Sequence, residues 1–177
     1  MIMKTADRRR LFIILTALLT ALVMALIFFF SSQDASLSSE TSGFFTDIIV
    51  RIFYPEYQSL TLSERELIRS QISFFVRKTG HFSEFTLLGF SLMLHALVSR
   101  YYKRAHGVRS LMPHALFTLF AGAAYAVSDE FHQSFVEGRG PAAADVGIDT
   151  CGVLFGLVVI SLIWNAVTKR GSENENS

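Results

Sequence analysis

Apolar residues in this chain gather into long runs instead of recurring singly. Residues 11–30 carry no charge, and at 1.5 Å of rise per residue such a run matches the roughly 30 Å of a bilayer's hydrocarbon. Arg8, Arg9 and Arg10 precede it, as in a signal peptide. The run is long for one, however, and Phe28-Phe29-Phe30-Ser31-Ser32-Gln33 offers no small-x-small cleavage site. An uncleaved first membrane helix is expected. Further spans are predicted near residues 81–99, 111–127 and 146–167. The second and third carry His81, Glu84, Asp129 and Glu130 at their ends, which a hydropathy window scores poorly even where the helix crosses.

Between the first two spans the pattern changes to amphipathic. Phe44, Phe45, Ile48, Ile49, Ile52 and Phe53 recur at helical spacing until Pro55 stops them. A second helix is expected from Ser63, where Ser63 and Glu66 have capping-box spacing and Leu67, Ile68, Ile72, Phe75 and Val76 form a stripe leading into span two. Both helices either lie in the interface with apolar faces in lipid or pack on the bundle. The fold class is therefore all-α, an integral membrane bundle of about four transmembrane helices plus two amphipathic interfacial helices on the outer side. It forms a single domain over residues 1–177.

Flanking charge orients the bundle. Arg8, Arg9 and Arg10 precede span one, Arg100, Lys103, Arg104 and Arg109 separate spans two and three, and Lys169-Arg170 follow span four. All three flanks should be cytoplasmic, including termini 1–10 and 168–177, with segments 31–80 and 129–145 outside. Composition agrees, since 51% of residues are hydrophobic and Phe alone occurs 17 times. A net charge of +1 argues against a nucleic-acid partner, which needs clustered Lys and Arg. Cys151, the only cysteine, excludes an intramolecular disulfide and a cysteine zinc cluster, and is expected to pack.

Charged groups within spanning helices cost several kcal/mol unless they face a polar interior, and here they align. Lys78, His81 and Glu84 share a face of span two; Gly122, Tyr125, Asp129 and His132 form a stripe on span three. On span four, Asp145 and Asp149 lead into Gly152 and Gly156, a small-xxx-small seam that should turn both aspartates inward. Three helices would thus deliver Lys78, His81, Glu84, Asp129, Glu130, His132, Asp145 and Asp149 to one layer near the outer leaflet, within reach of Arg139 on the Glu137-Gly138-Arg139-Gly140-Pro141 turn. His95 lies far from this layer and is expected to be structural, with His114 and His106 at an interface or in a loop.

Histidines with carboxylates suit a divalent cation, and Arg with Lys suits a phosphate, so a lipid headgroup fits the layer. His81, Glu84, Asp129 and His132 are also candidates for general acid–base work, with His81 or His132 oriented by Glu84 or Asp129. Ser128 is the one weak nucleophile candidate, and the chain has no phosphate-cradling Gly-x-x-x-x-Gly-Lys loop, His-Glu-x-x-His or Gly-x-Ser-x-Gly. Three readings stay open, in this order: a headgroup-binding protein, an enzyme acting on a lipid headgroup by acid–base or metal-assisted chemistry, and a structural protein whose polar network only fixes helix register.

Three stretches carry a family resemblance. They are Phe30-Ser31-Ser32-Gln33, Lys78-Thr79-Gly80-His81-Phe82 with Glu84-Phe85, and Ser128-Asp129-Glu130-Phe131-His132-Gln133 through Gly138-Arg139 to Asp145 and Asp149-Thr150-x-Gly152. In these the chain resembles the VanZ-like family of bacterial membrane proteins along most of its length. Glu137 stands where the family often has Pro, and Thr150 where Asn or Thr is usual; neither removes a charged member of the layer. The resemblance implies a multi-pass protein of the bacterial plasma membrane and an association with resistance to the glycopeptide teicoplanin. The ligand-binding set expected is Lys78, His81, Glu84, Asp129, Glu130, His132, Gln133, Arg139, Asp145 and Asp149. The partners expected are membrane lipids and a lipid-linked cell-wall precursor or lipoglycopeptide, with a divalent metal as the candidate cofactor.

Overall fold

The computed structural model describes residues 5–101 and 111–175. Among them the fold is all-α: α1 (Thr5–Ser31), α2 (Ala35–Phe53), a 3-10 turn (Tyr57–Ser59), α3 (Leu62–Tyr101), α4 (Met112–Gln133) and α5 (Ala143–Glu175). Three helices are long and apolar enough to cross a membrane, over Ala6–Ser31, Leu62–Ser99 and Ala143–Val167. The 22-residue α4 occupies the place of the third predicted span, but Pro113, His114, Asp129 and Glu130 keep it out of that group. Of the flanking cations, Lys103, Arg104 and Arg109 lie outside the described residues, as does His106.

Local chemistry moves two boundaries from their predicted places. α2 begins well before Phe44, because Asp34 caps it by accepting from the Leu37 amide at 2.9 Å. The first turns of α2 are rich in serine and lack the apolar repeat that betrays the later ones. α3 is capped by Thr61 and Glu64 rather than Ser63 and Glu66: the Thr61 amide donates to Glu64 Oε2 at 2.9 Å and the Glu64 amide to Thr61 Oγ1 at 3.4 Å. From there α3 runs unbroken for 40 residues, about 60 Å, so the second amphipathic helix and span two are one element. Its first half packs on α2 through a Ser42–Ser73 hydroxyl contact at 3.3 Å and an Arg69–Asp47 ion pair.

α3 is the central helix, packed most extensively on α5 and then on α1. The seam is made of glycine. A Cβ on Gly152 would stand 2.5 Å from the Phe82 carbonyl oxygen, and one on Gly156 would strike the Thr86 carbonyl. Around this close approach Phe85, Leu88, Ala126, Val153, Val23 and Ile27 form one buried cluster, and Met93, Leu97, Leu157 and Ile160 another. Tyr125 ties α4 to α1 by donating to the Met24 carbonyl at 2.7 Å. His95, away from the polar layer, places Nδ1 2.9 Å from Thr16 Oγ1 across α1 and α3. Cys151 is exposed on α5 instead of packed.

Large apolar side chains cover the outside: Leu18, Leu22 and Phe29 on α1, Phe117 and Phe120 on α4, Leu154, Phe155 and Leu162 on α5. Asp129, Glu130, Asp145 and Asp149 lie inside. That inversion suits a helical bundle in lipid, where hydrocarbon solvates the apolar surface and charges must turn inward.

Candidate functional site

The polar layer forms where α3, α4 and α5 meet. Lys78 and His81 stand one turn apart on α3, and Asp145 and Asp149 one turn apart on α5, facing them across the glycine seam. Lys78 pairs with Asp145 and places its ammonium 5.2 Å from the Phe74 ring centroid. Asp145 sits in the first turn of α5, where the helix dipole also favours its charge. One turn on, His81 Nδ1 lies 3.8 Å from Asp149 Oδ1.

α4 supplies the third side. Asp129 is 4% exposed and accepts from Gln133 Nε2 at 2.9 Å. Glu130 turns to the connection between α4 and α5, where its Oε2 accepts the Ala142 amide at 2.8 Å and so fixes the chain just before α5. Within this connection Gly138 takes a left-handed φ of 73°, natural for glycine, and lets the Arg139 amide close on the Val136 carbonyl at 3.1 Å. Burial holds Arg139 below the usual arginine value, opposed by Asp129, Glu84 and Glu130. The guanidinium remains charged all the same.

His81, Asp129 and Asp149 converge most tightly, with one ligand atom from each within 4.8 Å of the others. Asp149 is 0% exposed, and neither of its oxygens has a hydrogen-bond partner. His81 Nδ1 is likewise buried without one. A buried carboxylate without compensation costs several kcal/mol, so a cluster of this kind could coordinate a divalent cation.

The remaining residues separate into two groups. His81, Glu84 and Arg139 line a cavity of about 250 Å³ together with Arg77, the end of α1 and one face of α2. His132 stands apart, its ring 4.6 Å from that of Phe28 and its Nδ1 buried without a partner. His81 thus meets Asp129, one of the two acids the sequence suggested for it, and also Asp149, which it did not suggest. The sequence reading missed Arg77 and the hydroxyls of Ser38, Thr41 and Ser42, which also line the cavity. Their signal was present in the helical spacing of Ser38 with Thr41 and Ser42, a face that Phe45 continues one turn on.

Apolar helices outside and a charged layer sealed between three of them define a multi-pass helical membrane protein. The family model described as VanZ/LLP1 matches residues 16–164, and the chain belongs to the VanZ-like family. The matched stretch contains every residue of the layer. Neither the curated proteins nor the solved structures yield a match.

Proposed function

We propose that the chain crosses the bacterial plasma membrane four times with both termini cytoplasmic, and that it binds the phosphate-bearing headgroup of a lipid or lipid-linked envelope precursor at the outer face. The topology is supported by α4, whose 22 residues reach about 33 Å, and by Arg8, Arg9 and Arg10 in the first turns of α1. The half of α3 before Lys78 and the α2 packed on it form the outer hairpin, with Phe44, Ile52, Phe53 and Phe75 strongly exposed to lipid headgroups and acyl chains.

The cavity carries the binding reading. Arg77 and Arg139 bring two guanidinium groups to it, Ser38, Thr41 and Ser42 bring hydroxyls, and Phe30, Phe45 and Val76 make an apolar wall. That is the donor set of a phosphate next to the surface of an acyl chain. A charge-assisted hydrogen bond is worth about 1.5–3 kcal/mol, so Arg139→Ala should weaken binding by about tenfold or more. The experiment is a titration of purified protein with short-chain phosphatidylglycerol, a polyprenyl pyrophosphate and phosphatidylcholine, with EDTA present. Equal affinity for all three would sink the headgroup reading. A cell-level companion is teicoplanin susceptibility in a deletion strain complemented with wild type or Arg139→Ala at equal abundance, because a protein that holds headgroups alters access of a lipoglycopeptide to the envelope.

One observation favours an enzyme instead: His132 Nδ1 and Glu130 Oε1 are buried without partners, as a waiting acid and base would be. That reading requires the lipid profile to change on His132→Ala.

A further inference from the structure

We infer that His81, Asp129 and Asp149 form a single divalent-cation site, with Zn²⁺ or Mn²⁺ as the fitting ion, which holds α3, α4 and α5 together at the level of the polar layer. The inference goes beyond the headgroup reading and does not depend on it.

Charge balance is the first support. Lys78 is committed to Asp145, and the Glu130 carboxylate is turned to the Ala142 amide. Among the described residues Asp129 has only the neutral Gln133 amide, and Asp149 has only His81 at 3.8 Å. Two carboxylates are thus buried side by side with no cationic side chain in ion-pair contact except that imidazole. The second support is the orphaned atoms. Asp149 is completely buried, and both of its oxygens and His81 Nδ1 lack hydrogen-bond partners.

Geometry and donor type narrow the ion. Two ligands about 2.1 Å from a tetrahedral ion are about 3.4 Å apart. The 3.8 Å between His81 and Asp149 and the 4.8 Å limit on the whole set therefore need only small side-chain rotations. One imidazole nitrogen with two carboxylates is a mixed nitrogen and oxygen set, which suits Zn²⁺ or Mn²⁺ better than Mg²⁺ or Ca²⁺. His81 also lines the cavity, so the ion lies beside it.

The test uses full-length protein purified in detergent without added lipid and stripped of metal by chelator. Zn²⁺ and Mn²⁺ are titrated separately by calorimetry, and Tm is followed as each metal is added. The result expected is one equivalent of at least one of them per chain and a Tm that rises with free metal. Asp149→Asn and Asp129→Asn should each weaken binding by more than the 10–100-fold typical of a lost outer partner, whereas Asp47→Asn, at the exposed pair with Arg69, should not. Co²⁺ added to the wild type gives an independent readout, a visible d–d absorption that Zn²⁺ displaces. No heat with either metal and no such band overturns the site even if both Asn variants fail to fold. Unaltered affinity in folded Asp149→Asn and Asp129→Asn overturns it equally. Lipid is absent here and metal is absent from the lipid titration, so either reading can fail while the other stands.

Discussion

Replacing Gly152 with alanine adds one methyl group at one of the close approaches between α5 and α3. That Cβ would lie 2.5 Å from the Phe82 carbonyl oxygen and 3.1 Å from the Thr86 amide nitrogen, against 3.4 Å for ordinary contact, so α5 must retreat by roughly 0.9 Å. Overpacking of this kind costs about 1–3 kcal/mol, while alanine returns up to about 1 kcal/mol of helix propensity. Gly147 is the control on the same helix, since a Cβ there meets nothing within 4 Å; Gly147→Ala should keep the propensity gain alone. The two variants should therefore differ by about 1–3 kcal/mol, and at about 2–4 °C per kcal/mol for a chain of this size the gap in Tm is several degrees. Thermal unfolding in detergent measures it. The retreat also pulls Asp149 from His81, so metal affinity should fall in Gly152→Ala and hold in Gly147→Ala. Equal Tm for the two variants would refute the close-packed seam.

Lys78→Met leaves the buried Asp145 without its ion partner and should cost about 3 kcal/mol; adding Asp145→Asn should recover most of it, which a double-mutant cycle by thermal unfolding would measure. Thr16→Val removes the hydroxyl that meets His95 at 2.9 Å and should cost about 1 kcal/mol, with Ala17 substitutions as background and unfolding again as the readout. The Ser36 hydroxyl, with the Leu37 amide, holds the Asp34 carboxyl below the usual carboxylate range. The cap on α2 is then fully in place above that range and is lost as pH falls through the lower folded value, so protection from hydrogen exchange in the first turn of α2, taken relative to the intrinsic rate at each pH, should fall in acid, and Asp34→Asn should abolish that pH dependence.

Much of the bundle was readable because its signals are local. The charge-free run at residues 11–30 needs only length to be a span, and Gly152 with Gly156 announces a seam because only small residues let two backbones meet. Asp145 and Asp149 follow from that seam, since the face that packs is the face that carries them. The continuity of α3 was harder to see. Its neighbours change from α2 to α5 along its length, and a helix without Pro or a left-handed Gly shows no break where its environment changes. The α3 cap was displaced because Thr61 competes with the nearby Ser63, which has equal capping chemistry. The division of the layer into a His81–Asp129–Asp149 cluster, a lysine pair and a cavity wall depends on side-chain direction across helices, and helical spacing along a sequence does not contain it.

The length of α3 has a mechanical consequence. His81 lies near the middle of the 40-residue helix, and the glycine contacts at Phe82 and Thr86 clamp it to α5 just beyond that point. The helix is therefore a lever with its fulcrum beside the buried carboxylates and a free arm of about 28 Å toward Leu62. A tilt of 5° swings the tip of such an arm by roughly 2.5 Å but barely shifts the fulcrum. Because α2 rides on that arm and forms one wall of the cavity, the width of the cavity is geared to the angle of the hairpin, whereas the triad beneath stays in register.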